Sequence, residues 1–225
     1  RGLDRLVDRA GTMILVQRDE GEQAFRDLDL SLAAVAVGEV ALVPSVYAGL
    51  DLAVARAVLV EASGQSPDLN RAPAMIASAS TYWRNAWKYE ARAYRHCFWD
   101  SGTLHANLLA VAGSAQLEPR LVMGFADRPV EQLLGLDPER EGAIALVAIG
   151  RSGRRAPPAP PVPGLRLETE PLSQSAVDYP AIRAQHVASS LEDGAEAASW
   201  RDPAPVREEP VATGSLHPLR PKAEP

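Results

Sequence analysis

The sequence predicts a mixed domain of the α+β or α/β kind followed by a proline-rich tail, and two observations carry that expectation. Along residues 11–150, apolar runs of strand length alternate with stretches of helical period in the order β, α, β, α, α, α, β. That order describes layers of sheet and helix rather than a bundle. Thirteen of the 19 prolines then fall after Gly150. The run "RRAPPAPPVPG" at 154–164 has too few amide donors for helix or sheet and reads as an extended linker, which sets the domain boundary near Ser152.

The elements follow from local pattern. "GTMILVQR" (11–18) and "LSLAAVAVGEVALV" (30–43) are strand-like, the second with a break or bulge at Gly38. In 51–65, Leu52, Ala55, Val58, Leu59 and Ala62 recur at helical spacing and Gly64 stops the helix. "APAMIASAS" (72–80) suits a buried strand. A helix is expected from Tyr82 to about Arg95 and a second over 100–116, whose Gly102, Ala106 and Ala110 would let another backbone approach. A short helix over 128–136 and a strand over 143–149 close the domain. In the tail, Ile182, Val187 and Leu191 predict a short helix within 179–193, with Gly194 as a stop; 201–225 reads as linker.

Composition excludes several functions. With 46% apolar and 23% charged residues, a chain of 225 residues has material for a core. A net charge of −6 repels nucleic acid and anionic membrane. No apolar run reaches the roughly 18 uninterrupted residues of a membrane span, and no signal peptide is visible. The single cysteine, Cys97, forms no internal disulfide and reads as a small buried hydrophobe, which favours a reducing, cytoplasmic setting. The chain starts at Arg1 and stops inside a proline-rich stretch, as an excerpt of a longer polypeptide would.

Chemistry concentrates in "WKYEARAYRHCFWDSGTLHANLL", 87–109. On one continuous helix at about 100° per residue, Arg84, Lys88, Arg92 and Arg95 fall within about 80° of one another, beside a stripe of Trp83, Trp87 and Tyr94. One reading is an amphipathic helix with a basic rim. The other is an anion or cofactor-edge site, because like charges at i,i+4 repel by a few tenths of a kcal/mol and only Glu90 intervenes. His96 and His105 are candidate bases or hydrogen-bonded structural groups; His186 and His217, in the tail, suggest nothing. No phosphate loop, HExxH, GxSxG or paired-cysteine pattern occurs, so no metal site is predicted. "GRSGRRA" (150–156) offers a basic loop at a strand end that could hold a phosphate.

In order, "RAPAMIASAS", "WKYEARAYRH", "DSGTLHANLLAVAGSAQ" and "LVMGFADRPVEQLLGLDPEREGAIALVAIGR" resemble the nitroreductase superfamily, and within it the SagB/ThcOx-type dehydrogenases that oxidise azoline rings of peptides to azoles. The resemblance covers about 80 residues well and 31–71 loosely. It implies an α+β, FMN-dependent fold, usually a homodimer with FMN across the subunit interface. Residues 1–151 would be a nitroreductase-like domain lacking its N-terminal part, and 152–225 a largely unstructured connection of the kind found between tandem modules. A peptide or small-molecule substrate is expected.

The resemblance assigns Lys88 and Tyr89 to catalysis. Aromatising an azoline removes a ring proton and a hydride, so a base must face the flavin across the ring. A lysine does this only where burial or cations favour its neutral form, and Arg84 and Arg92 are the expected neighbours. Val122, Met123 and Gly124 would lie along the flavin, with Gly124 permitting close approach, and Arg151 and Arg154 would contact the FMN phosphate. Oxygen is the implied electron acceptor. The chain departs from the pattern at Glu90, where Gly is usual, and at Thr103 and Ala106, while Asn107 is kept. The basic segment that holds the FMN phosphate in relatives has no counterpart; it lies upstream of Arg1 or has been lost. Two further readings remain open: a degenerate module for dimerisation or peptide binding, and a generic flavin nitroreductase.

Overall fold

Two long strands, β3 (Ala74–Thr81) and β5 (Glu141–Ile149), pair antiparallel at the centre of a five-stranded sheet. Their sequences, "AMIASAST" and "EGAIALVAI", are small or apolar almost throughout, so both faces can be covered, and residues 74–79 and 142–149 are buried. A register shift between Ser78 and Ala79 bends the pair. β1 (Met13–Arg18) pairs antiparallel with β3, and β2 (Ala41–Val43) pairs parallel with β1 at one edge. The other edge is β4 (Arg120–Val122), antiparallel to β5. The computed structural model describes residues 13–18, 41–43, 52–151, 155–161 and 177–201. Of the strand-like run expected over 30–43, residues 30–40 lie outside them, as do 202–225.

Alternation along the strands splits the core. Met75, Ala77, Leu146 and Ala148 point to one face, where they meet Leu59 of α1 (Leu52–Ala62) and Val130, Leu133 and Leu134 of α5 (Asp127–Leu134). Ala74, Ile76, Val147 and Ile149 point to the other and meet Leu108 and Ala112 of α4 (Ala93–Ser114). Full burial of each large side chain contributes about 1.5–3 kcal/mol. Between them lie α2 (Pro67–Arg71), which starts on a proline, and α3 (Trp83–Tyr89).

The helical region differs from its sequence expectation. The helix expected over 82–95 ends at Tyr89, a 3-10 turn spans Glu90–Arg92, and α4 then runs 22 residues without the expected second start at 100. The cause is Glu90, whose φ of 54° and ψ of −137° no helix accommodates. Lys88 therefore shares no continuous helix face with Arg92 and Arg95, and the four-cation stripe does not form. Nothing described in the chain approaches the Gly102 position of α4 within 4 Å.

The tail helix forms at α6 (Pro180–Ser189), and Gly194 opens a further helix, α7 (Gly194–Arg201). Both lie on the body. Ile182 is buried in a cluster with Tyr82, Cys97 and Ile144. Gly64, at φ 59°, meets Gly194 so closely that a Cβ on either would sit 2.0–2.2 Å from backbone oxygen. The Arg201 guanidinium donates to the carbonyls of Ser63 and Gly64, capping the end of α1. Upstream, the Ala156 amide donates to Asn70 Oδ1 at 3.0 Å.

Candidate functional site

Lys88 and Tyr89 end α3, one residue before the backbone turns at Glu90. Lys88 is exposed, with Nζ 5.1 Å from the Tyr89 ring centroid. Half-buried Tyr89 stacks on His96 at 3.7 Å and 15°, and the His96 ring meets Trp99 edge-on at 4.8 Å. Arg95 lies over the same Trp99 ring. Trp87 and Trp99 are 69% and 57% exposed. The 3-10 turn folds His96 back onto Tyr89 and leaves an exposed patch of aromatic and cationic groups. In the single chain Lys88 is open to solvent, so any desolvation a base needs must come from whatever covers this patch.

The other expected cofactor residues lie elsewhere. Val122 is buried at the end of edge strand β4, Met123 is exposed, and Gly124 is half-buried; a Cβ there would meet only Ala197 O, at an ordinary 3.7 Å. Arg151 is exposed just after β5 and lines a shallow recess with Asp68, Glu118 and Arg120. Arg154 lies outside the described residues. β5 spans nine residues, about 27 Å at roughly 3.4 Å per residue. Tyr89 packs against the cluster that holds Ile144 and Ala145, in the first half of β5, whereas Arg151 follows its end. One chain thus does not bring Lys88 and Tyr89 beside Arg151.

Two other candidates are interior. The Ser78 hydroxyl donates to Ala145 O and leaves its oxygen to accept from His105 Nε2–H at 2.9 Å. Burial pushes the His105 pKa down, so this is the hydrogen-bonded structural group of the two readings. Cys97 is 1% exposed, and burial pushes its thiol up, which keeps it an inert hydrophobe.

Sequence reasoning gave His186 no role, yet the structure buries it among polar groups. His186 Nε2 lies 2.8 Å from Glu131 Oε1, and each residue is 5% exposed. Nδ1 lies 3.2 Å from Tyr94 Oη, which is 2.9 Å from Ser189 Oγ. Asp127, one turn before Glu131, accepts the Leu191 amide at 2.8 Å. Burial pushes the Asp127 carboxyl up to about 6, against the Leu191 hydrogen bond that favours the carboxylate. The i,i+4 spacing of Asp127 and Glu131 was visible in sequence, but its third member comes from 55 residues away across a proline-rich run.

A search of curated proteins returned no match. Residues 12–151 match the family model described as the nitroreductase family. The chain belongs to the nitroreductase family. Among solved structures, it is similar to a nitroreductase, described as putative, from Anabaena variabilis, at 30% identity over 61% of this chain and 28% of that one, with a TM-score of 0.47. It is also similar to the E. coli microcin synthetase McbBCD complex with truncated pro-MccB17 bound, at 20% identity over 46% of this chain and 38% of that one, TM-score 0.42. A nitroreductase of Exiguobacterium sibiricum, likewise putative and in complex with FMN, is 16% identical over 48% and 67%, TM-score 0.36. The chain thus spans well under half the length of the first two.

Nitroreductase-family proteins are flavin-dependent oxidoreductases that use FMN and are commonly homodimers. A flavin asks for aromatic or apolar cover on its ring and for cations or amides at its phosphate. Trp87, Trp99 and Met123 supply exposed examples of the first, and Lys88, Arg120 and Arg151 of the second. The residue types fit FMN, although Asp68 and Glu118 offset the two arginines of the recess. Among the described residues no helix is long and apolar enough to cross a membrane.

Proposed function

We propose that this chain is part of an FMN-dependent oxidoreductase that dehydrogenates azoline rings to azoles in a ribosomally made peptide. The observation that carries the reading is the exposed patch of Lys88, Tyr89, His96 and Trp99, where a flexible amine stands beside a ring stack open to a ligand. Bound FMN supplies the two-electron acceptor, with oxygen as the final oxidant. Lys88 Nζ takes the ring proton of the azoline. Tyr89, held by the His96 ring, orients the azoline or the amine. Val122, Met123 and Gly124 hold the flavin edge, and Arg151 and Arg154 its phosphate. Since Arg151 and Lys88 stand apart in one chain, a second copy or a tandem module completes the site, and its cover desolvates Lys88. On this reading 1–151 is the nitroreductase-like domain, 152–225 the connection, and the compartment the cytoplasm.

A second reading, a degenerate module for dimerisation or peptide binding, is favoured by Glu90. It holds a backbone conformation suited to glycine, where relatives of the azoline-oxidising type carry glycine, and it sets a carboxylate beside the proposed base.

The test is the visible spectrum of the purified chain, including any native upstream sequence, after addition of FMN. A bound flavin spectrum and oxidation of an azoline peptide, lost in Lys88→Ala with flavin retained, support the proposal. A colourless protein that takes up no FMN refutes it in favour of the degenerate module. Turnover of nitroaromatics with NAD(P)H, without azoline oxidation, would instead make it a generic nitroreductase.

A further inference from the structure

The cluster of half-buried Asp127 with buried Glu131 and His186 has the composition of a metal site. One ligand atom from each lies within 4.8 Å of the others. Asp127 and Glu131 are one turn apart on α5 and so share a face. His186 comes from α6.

Proton bookkeeping orients the histidine. Ser189 Oγ donates to the carbonyls of Gln185 and His186, at 2.9 and 3.1 Å, so toward Tyr94 it accepts. The single Tyr94 hydroxyl proton goes to Ser189, and Tyr94 Oη is left to accept from His186 Nδ1–H. A ring held this way, with Nδ1–H fixed by an outer partner, is the usual setting of a metal-bound histidine. In a neutral ring the remaining lone pair, on Nε2, faces Glu131 Oε1 at 2.8 Å. A proton, on the ring or on the carboxyl, or a cation stands between them. A proton offsets one carboxylate of the two, whereas a divalent cation offsets both.

An independent observation points into the same space. Tyr82 is 3% exposed and its hydroxyl has no hydrogen-bond partner among the described residues. Its ring lies 5.5 Å from the His186 ring. Both border Gly142, where a Cβ would lie 2.4 Å from Tyr82 Oη and 3.0 Å from His186 Cε1. The glycine leaves room for the pair, and a buried hydroxyl without a partner is costly unless something in the cluster takes its proton.

We infer that Asp127, Glu131 and His186 bind a divalent first-row metal ion of the Zn2+ class, which clasps the tail helix α6 to α5. Mixed nitrogen and carboxylate donors suit that class better than Mg2+ or Ca2+, which prefer oxygen alone. A tetrahedral ion with bonds of about 2.0–2.1 Å sets its ligand atoms roughly 3.3 Å apart, so His186 and Glu131 need only part slightly from their hydrogen-bonded separation. Water fills the fourth position, and the Tyr82 hydroxyl is its hydrogen-bond partner.

The test uses the full chain, stripped with a chelator and titrated with Co2+. The expected result is one Co2+ per chain with the visible absorption of a four- or five-coordinate ion, displaced by one equivalent of Zn2+, and a higher melting temperature with metal. His186→Gln should weaken binding about a hundredfold, while the double variant His96→Gln/His217→Gln retains it. If circular dichroism shows His186→Gln unfolded, Asp127→Asn is the deciding variant, with the same loss expected. Folded wild-type protein that gives no such cobalt spectrum overturns the assignment, because the cluster is then a hydrogen-bonded clasp without an ion. A spectrum that persists in folded His186→Gln or Asp127→Asn also overturns it, because the ion then sits at an adventitious site.

Discussion

The Tyr89 ring stacks on His96, seven residues on and across the break in the helix, at 3.7 Å between centroids and 15° between planes. The stack ties the end of α3 to the start of α4 where a 3-10 turn interrupts the α-helical hydrogen bonding. An aromatic pair contributes about 0.5–1.5 kcal/mol beyond its buried area. His96→Ala should lower stability by about 1 kcal/mol in urea unfolding, and His96→Phe should restore most of it. Equal midpoints for wild type and His96→Ala would remove the stack from the account of this turn.

Glu90 carries a Cβ in a region of backbone space that glycine occupies readily. Such conformations cost on the order of 1–3 kcal/mol. The gain from relieving it is partly offset by glycine's larger unfolded-state entropy, about 0.5–1 kcal/mol. Glu90→Gly should therefore stabilise the chain by about 1 kcal/mol in urea unfolding. Glu90→Ala, which keeps a Cβ, should stay near wild type. A less stable Glu90→Gly would show that the carboxylate does more for the fold than its exposed position indicates.

Much of the fold was legible where the physics is local. Continuous small and apolar runs placed β3 and β5, helical spacing with a glycine stop placed α1, and Gly135 at φ 69° ends α5 one residue before the expected limit. The break at Glu90 was not legible as a break, because nothing about glutamate signals positive φ; only the glycine usual at that position hinted at it. β4 is three residues long and is held by pairing with β5, a non-local cause. Within the candidate site, Lys88 and Tyr89 are proposed on resemblance. The Asp127, Glu131 and His186 cluster was missed because proximity across a proline-rich connection leaves no trace in spacing.

His105 predicts a pH dependence. Burial holds its pKa below the ordinary 6.5 in the folded chain, while the unfolded chain keeps about that value. Below pH 6.5 the unfolded state takes up a proton that the folded state refuses. The stability is thus present above about 6.5 and lost as pH falls through the folded value. The slope is at most about 1.4 kcal/mol per pH unit. His105→Gln, which still offers a donor to Ser78, should lack this component. Unfolding free energies from about pH 7.5 down to 5 should therefore fall more steeply for wild type than for the variant. Parallel curves would mean that the ring protonates in place.

Gly142 is the position where the sheet leaves room for the tail. A Cβ added there would lie 2.4 Å from Tyr82 Oη and 3.2 Å from Tyr82 Cζ, and both residues are buried beneath α6. The Tyr82 ring cannot swing out without disturbing Tyr94 and His186, whose rings it meets at 5.9 and 5.5 Å. Overpacking of this kind costs about 1–3 kcal/mol. Gly142→Ala should lower stability by that amount and speed proteolysis within 177–201, since α6 packs directly over the point of strain. Tyr82→Phe removes the atom of closest approach, so Gly142→Ala/Tyr82→Phe should recover part of the loss, a coupling that a double-mutant cycle reads directly. Strict additivity of the two changes would place the strain elsewhere on β5.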